Sequence, residues 1–232
     1  MKRFFGRREG EQIVIDGGEL IHLRQVLRMQ KGDKVIVSLN DKFDYYCTLD
    51  EVGKSKAVCT IDEVKECPTY PKKEIVLFIA MPKREYFETI LTKSTELGVS
   101  KIVPFKSKFT VNHDFKRERA GQILLTACKQ CERSILPELC EVETFDKMLK
   151  QLADYDMVIF ANEHESKTFD FKGLKTVSKI AVIVGAEAGF SEEEAEAIKA
   201  SGAKSISLGS RILRCDTAVT ALMAIVGILS GN

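Results

Sequence analysis

The rhythm of the chain changes at one short segment, and that change constrains the fold more than any other feature. The segment is Cys67-Pro68-Thr69-Tyr70-Pro71-Lys72-Lys73. Its two prolines fix φ and remove backbone donors, so neither a helix nor a strand interior runs through it. Before it, residues 12–15, 34–39, 45–49 and 57–61 are short β-branched or aromatic runs, parted by Gly, Asp or Asn. A helical pattern over residues 22–29, apolar at Leu23, Val26 and Leu27, interrupts them. This spacing predicts a small β-barrel over residues 1–67. After the break, strand and helix patterns alternate. Residues 74–80 read as a buried strand, and 86–97 as a helix that Gly98 ends. Strand 99–105 and a long helix over 115–133 follow. Strands at 157–161 and 180–184, a helix at 191–201, a strand at 205–208 and a helix at 216–229 complete the pattern. The alternation predicts an α/β domain on a parallel sheet over residues 74–232.

Charge adds a weaker constraint. The net charge of +1 does not call for a polyanionic partner, but its distribution is uneven. Residues 72–133 hold 13 basic against 7 acidic side chains, and residues 134–232 hold 10 against 15. A basic middle segment can meet phosphate, or it can be a solvated helix face. Residues 1–15 contain no apolar run of the signal-peptide kind. The apolar run 217–229 falls short of the roughly 17 residues a membrane span requires and reads as a buried helix. A cytoplasmic protein without membrane association is expected. Seven cysteines, an odd number, are expected to be free thiols in such a chain. Cys128-x-x-Cys131 has no second pair at ligand spacing, and His22, His113 and His164 are all distant in sequence. Two cysteines at i and i+3 of a helix are expected to pack rather than bind metal.

Two segments carry the chemistry. The first is Val184-Gly185-Ala186-Glu187-Ala188-Gly189-Phe190-Ser191, where a buried strand meets a glycine turn and then a helix. Ser191 and Glu194 have capping-box spacing. Glycines at a strand's carboxyl end let a ligand approach the backbone, and open α/β sheets bind their ligands there. The spacing is not G-x-G-x-x-G, and there is no Walker loop. The second segment is Leu208-Gly209-Ser210-Arg211-Ile212-Leu213-Arg214-Cys215-Asp216-Thr217-Ala218. Two arginines in a connector offer planar, multidentate donors for a phosphate or a base edge. Asp216 is the expected cap of the last helix, with Thr217 as a weaker candidate.

Gly185–Ser191 is similar to the G-P-E-G-G-F-S motif of the RsmE family, the 16S ribosomal RNA uridine methyltransferases of the SPOUT superfamily. Leu208–Ala218 resembles that family's L-G-x-R-I-L-R-x-E-T-A motif. The likeness extends to Lys93-Ser-Thr-Glu96-Leu-Gly and to Ala127-Cys-Lys-Gln130-Cys-Glu-Arg133. His22 to Arg28, with Gly32-Asp33, resembles the family's N-terminal RNA-binding barrel. The chain departs from the pattern at Ala186 and Ala188 (Pro and Gly in the family), at Lys108 (Arg), at Lys129 (Glu) and at Asp216 (Glu). Ala adopts positive φ less freely than Gly, so the first turn is expected to sit differently here.

The resemblance implies a PUA-like barrel followed by a trefoil-knotted methyltransferase domain, a homodimer, S-adenosylmethionine as cofactor and no metal. The implied substrate is N3 of one uridine in 16S rRNA, free or within the small ribosomal subunit. Cofactor contacts are expected from Val184, Gly185, Glu187, Gly189, Leu208, Gly209, Ile212 and Leu213. Arg211 and Arg214 are the expected catalytic residues. Arg3, Arg24, Arg28, Lys83, Lys93 and Arg133 are the expected RNA contacts. Three other readings compete: an RNA-binding homologue without turnover, a SPOUT enzyme with a different RNA target, and an unrelated nucleotide-binding α/β enzyme.

Overall fold

The computed structural model describes residues 1–111, 114–165 and 171–232, so His113 lies outside the described residues. They form two compact units, residues 1–70 with 128–136 and residues 71–127 with 137–232.

The first unit contains strands β1 (Lys2–Phe5), β2 (Arg7–Glu9) and β3 (Gln12–Asp16), helix α1 (Gly17–Ile21), and strands β4 (Lys34–Ser38), β5 (Phe43–Val52) and β6 (Lys56–Glu66). They form one sheet in the order β1-β4-β5-β6-β3-β2, antiparallel except for β1 against β4. β1 and β2 lie at opposite ends of that order, yet only Gly6 separates them in the chain. The sheet must therefore curl until its ends approach. Gly6 shows how closely: a Cβ there would lie 2.7 Å from Val14 O and 2.9 Å from Val37 Cγ1. Alternate residues of the strands, including Phe4, Ile13, Ile15, Val35, Val37, Cys47 and Leu49, fill the interior. The helix expected over 22–29 starts earlier, as α1, and continues as a π-helical turn over His22–Val26.

Residues 128–136 belong with this unit, although nothing in their own sequence signals it. Lys129 Nζ lies 2.5 Å from Glu19 Oε1, and Asn40 Oδ1 accepts from Leu136 N at 2.7 Å. The Ser134 hydroxyl donates to Asp41 O at 2.6 Å, and Thr69 donates to Glu132 O at 2.9 Å. These partners are 63 to 110 residues away in sequence, beyond the reach of any local pattern. The charge at Lys129, reversed relative to the family pattern, thus meets an opposite charge.

The second unit contains β7 (Glu74–Ala80), α2 (Arg84–Glu96), β8 (Lys101–Lys106), α3 (Arg117–Gln130, whose last residues pass into the first unit), β9 (Glu138–Leu139), β10 (Glu143–Thr144), α4 (Phe145–Gln151), β11 (Met157–Ala161), β12 (Lys179–Val184), α5 (Glu192–Ala200), β13 (Lys204–Ile206) and α6 (Cys215–Ser230). Every strand pairing is parallel, in the order β10-β8-β7-β12-β11-β13, with β9 beside β8. Both faces are covered, which explains why β7 reads as an unbroken apolar run. Ile75, Leu77 and Ile79 pack on one face with residues of α2, α3 and α6. Val76, Phe78 and Ala80 pack on the other with residues of α4 and α5.

Candidate active site

Strands β12, β11 and β13 are neighbours, and the segments leaving their carboxyl ends wall a cleft of about 460 Å³. That lies within the roughly 300–1,000 Å³ of typical small-molecule sites.

The first wall follows β12 and is tightly held. Gly189 N donates to Ala186 O at 3.0 Å, closing a tight turn, and Gly189 adopts φ of 66°. Ala186 and Ala188 stay out of the left-handed region, which among described non-glycine residues only Arg28, Asn40 and Glu132 enter. Neither alanine is therefore asked for the positive φ it adopts poorly, since that conformation falls on Gly189. Gly185 must be small: a Cβ would lie 3.0 Å from the Phe190 ring and 3.1 Å from Gly189 Cα. Phe190 anchors the turn, edge-on to Phe160 at 5.3 Å and stacked on Phe105 at 6.2 Å. The expected capping box is present. Ser191 Oγ accepts from Glu194 N at 3.3 Å, and Ser191 N donates to Glu194 Oε2 at 3.1 Å. Glu194 Oε1 also accepts from the backbone N of Lys108 at 2.7 Å, and the Lys108 side chain pairs with Glu193 at 3.2 Å. The Ser191 hydroxyl, the N–H of Glu193 itself and Lys108 hold the exposed Glu193 carboxyl down to about 2. Glu187 Oε1 accepts from Lys83 N at 3.0 Å, fastening the turn to the start of α2.

The second wall follows β13 and is looser. Gly209 has φ of 115°, and its N–H and C=O both bond the Ser207 hydroxyl, at 3.3 and 3.1 Å. Arg211 is exposed and lines the cleft, and Ile212 lines it while 85% exposed. Leu208 and Leu213 reach down to the core. Arg214 is the N-cap of α6 and makes no capping bond. Its guanidinium lies 5.8 Å from the centre of the Tyr86 ring on α2, within cation–π range. The expected cap at Asp216 is corrected. The helix begins one residue earlier, at Cys215, which puts Asp216 in the first turn, where its charge favours the helix dipole but its side chain cannot cap. Asp216 Oδ1 is buried without a hydrogen-bond partner. Burial, then the charges of Glu187 and Asp216, push the Cys215 thiol up to about 12, so it stays protonated and is a poor nucleophile.

Sequence reasoning missed the third wall, the turn after β11. Ala161, Asn162, Glu163 and His164 line the cleft from there. No glycine marks this turn, Asn162 is its one turn-type residue, and the pairing of β11 with both β12 and β13 brings it to the site.

All eight residues expected to contact cofactor line the cleft, as does Arg211, but Arg214 does not. The expected RNA contacts divide. Arg24, Arg28 and Lys83 are exposed, and Lys93 is half-buried beside Glu96 at 2.9 Å. Arg3 and Arg133 are enclosed. Arg3 grips Asp44 with two bonds, at 2.5 and 2.8 Å, and its side chain is 7% exposed. Arg133 is buried in the first unit, where desolvation lowers its pKa. Neither guanidinium is placed to meet a phosphate in solvent.

All seven cysteines are free thiols. Among the described residues, no group of three or more His, Cys, Asp or Glu could hold a metal ion, and no helix is long and apolar enough to cross a membrane.

A family model for an RNA methyltransferase domain matches residues 69–227, and one for an RNA methyltransferase PUA domain matches residues 15–62. The chain is 30% identical to ribosomal RNA small subunit methyltransferase E of Bacillus subtilis, over 94% of this chain and 93% of that one. A methyltransferase from Legionella pneumophila, solved with bound SAM, superposes with a TM-score of 0.86 at 26% identity, covering 97% of this chain and 96% of that one. Ribosomal RNA small subunit methyltransferase E from Neisseria gonorrhoeae shares the fold, with a TM-score of 0.90, 24% identity and coverage of 99% and 98%.

Proposed function

The chain belongs to the ribosomal RNA small subunit methyltransferase E family, and from that membership we propose that it methylates 16S ribosomal RNA with S-adenosylmethionine, at N3 of one uridine. The observation that carries the reading is the cleft, in which both family-type motifs meet at the carboxyl ends of β12 and β13, the two parallel strands that flank β11.

The residues present fit the cofactor. The cleft has room for it, and Gly185 and Gly189 leave bare backbone where a Cβ would collide with neighbours. Val184, Gly185, Glu187 and Gly189 hold it from one side, and Leu208, Gly209, Ile212 and Leu213 from the other. Bound there, S-adenosylmethionine supplies an electrophilic methyl group on a sulfonium, chemistry that needs no metal. The residues of this chain act on the nucleophile. Uridine N3 must lose its proton, and a cationic neighbour favours the resulting anion. Arg211, exposed at the mouth of the cleft, is the best-placed cation for that task. Arg214, held over Tyr86, serves the same anion or an adjoining phosphate. Arg24, Arg28, Lys83 and Lys93 contact the RNA backbone, which fixes position without reading sequence. Arg3 and Arg133, being enclosed, support the first unit instead.

Residues 1–67, with the added segment 128–136, form the RNA-binding domain, and the rest of residues 74–232 forms the catalytic domain, with a trefoil crossing of the chain at the cofactor loops. The enzyme works as a cytoplasmic homodimer. The dimer reading is supported by Thr217, Ala221, Ala224 and Ile228, which form an uncharged stripe on α6, with Ile228 78% exposed. Replacing Ile228 with Glu is expected to convert dimer to monomer in sedimentation velocity.

The central test is titration of S-adenosylmethionine by calorimetry, followed by methylation of small subunits and mapping of the modified nucleotide. Saturable binding and a single N3-methyluridine support the proposal. Absence of binding at millimolar cofactor would sink it, and a modification elsewhere would leave the enzyme with a different RNA target.

A further inference from the structure

The third wall brings a charge to the cleft that neither motif carries. Glu163 lies in the turn after β11, and Asn162 fixes that turn from two sides. The Asn162 side chain donates to the Ser205 hydroxyl at 3.2 Å and accepts from His164 N at 3.1 Å. The Glu163 carboxylate lies over the bare face of Gly189, where a Cβ would be 2.9 Å from Glu163 Oε1. Its ion contact with His164 is long, at 3.7 Å, to a side chain that is 82% exposed. Elsewhere along the cleft, Lys199 is matched by Glu196 at 2.9 Å, and the carboxylates of Glu187 and Glu192 line it together with the cation Arg211. The side-chain charge of the cleft is therefore negative, and Glu163 is the carboxylate set against the cofactor turn.

This charge bears on how the site treats its reactant and its product. S-adenosylmethionine carries a sulfonium and an ammonium against one carboxylate. When the methyl group passes to the nucleophile, the sulfur keeps the electron pair of the broken bond, and the product is a neutral thioether. A fixed carboxylate nearby favours the cation over the neutral molecule. We infer that Glu163 is a specificity-determining residue that biases the cleft toward the sulfonium cofactor and against its thioether product, S-adenosylhomocysteine. The inference rests on the cofactor assignment above.

The test is calorimetric titration of both molecules into the full-length wild type and into Glu163→Gln and Glu163→Asp. Glu163→Gln is expected to weaken S-adenosylmethionine binding about five- to tenfold and to leave S-adenosylhomocysteine within about twofold, since only one ligand carries the net charge. Glu163→Asp is expected to fall between. In the wild type alone, the ratio of the two affinities should shift toward the product as salt rises from about 50 to about 500 mM, because the carboxylate is partly exposed and can be screened. Equal weakening of both ligands, or a wild-type ratio insensitive to salt, overturns the inference. Failure of the wild type to bind either ligand instead removes the cofactor assignment on which it stands.

Discussion

The two motif walls of the cleft leave one sheet on either side of β11, yet they are built differently. The wall after β12 is fixed both locally and from outside: by a closed turn at Ala186–Gly189 and a complete capping box at Ser191 and Glu194, and by an aromatic anchor at Phe190 and a tie from Glu187 to α2. The wall after β13 has a glycine at φ 115°, an exposed Ile212 and a helix whose cap position is an arginine without a capping bond. The first wall is thus preorganised, and preorganisation lowers the ordering cost of binding. The second places cationic and apolar groups where the helix would be more stable with a serine or aspartate. Functional sites commonly depart from local optima in this way.

The comparison can be broken or sharpened by substitution. Gly189→Val is expected to have the largest effect. It forces a β-branched residue to φ 66° and drives a methyl-bearing Cβ into Glu163, so calorimetry should show no cofactor binding. Gly209→Val, also at positive φ but with open space around its Cα, is expected to weaken binding while leaving the fold intact by circular dichroism. Arg211→Ala should lower the methylation rate about a hundredfold while cofactor affinity changes little, as for loss of one group that stabilises a developing anion. An equal loss in both measurements would place Arg211 in cofactor binding instead.

Smaller effects address the helix starts. Ser191→Ala removes a formed cap and should destabilise the protein by about 1 kcal/mol, read as a lower Tm. Arg214→Asp supplies the cap that α6 lacks and should raise stability by a similar ~1 kcal/mol while methylation falls. A fall in both would show that Arg214 is needed for packing over Tyr86. The smallest effect concerns pH. Burial raises the Cys215 thiol from its ordinary 9.0 to about 12, so the folded state resists ionisation that the unfolded chain undergoes. The stability this contributes is present below pH 9 and is lost as pH rises toward 12. Cys215 should accordingly resist alkylation in the native enzyme at pH 8, as a mass-spectrometric time course would show.

Much of this was legible in the chain. The run at residues 74–80 is unbroken because both faces of β7 are buried, and the structure forms that strand with the same bounds. Ser191 and Glu194 announced their helix because the capping box lies within four residues. The start of α6 was less legible. Asp216 is a good cap by type, but the helix begins at Cys215 with Arg214 as its N-cap, and the choice between positions two residues apart depends on tertiary contacts such as Arg214 over Tyr86. Strands β1 and β2 were also missed, since Arg3, Arg7 and Arg8 interrupt their apolar pattern and only pairing across the sheet makes them strands.

The sequence by itself determined the longer strands and helices, such as β7, α2 and α5, where the first glycine turn closes, and the family to which the two motifs point. Those properties depend on neighbours a few residues apart, whose sterics and hydrogen bonds are fixed locally. Only the tertiary structure decided that Arg3 and Arg133 are enclosed rather than offered to RNA, that residues 128–136 join the first unit, and that Glu163 faces Gly189. In each case the deciding partner is dozens of residues away in the chain, and it comes within reach only once the strands have paired.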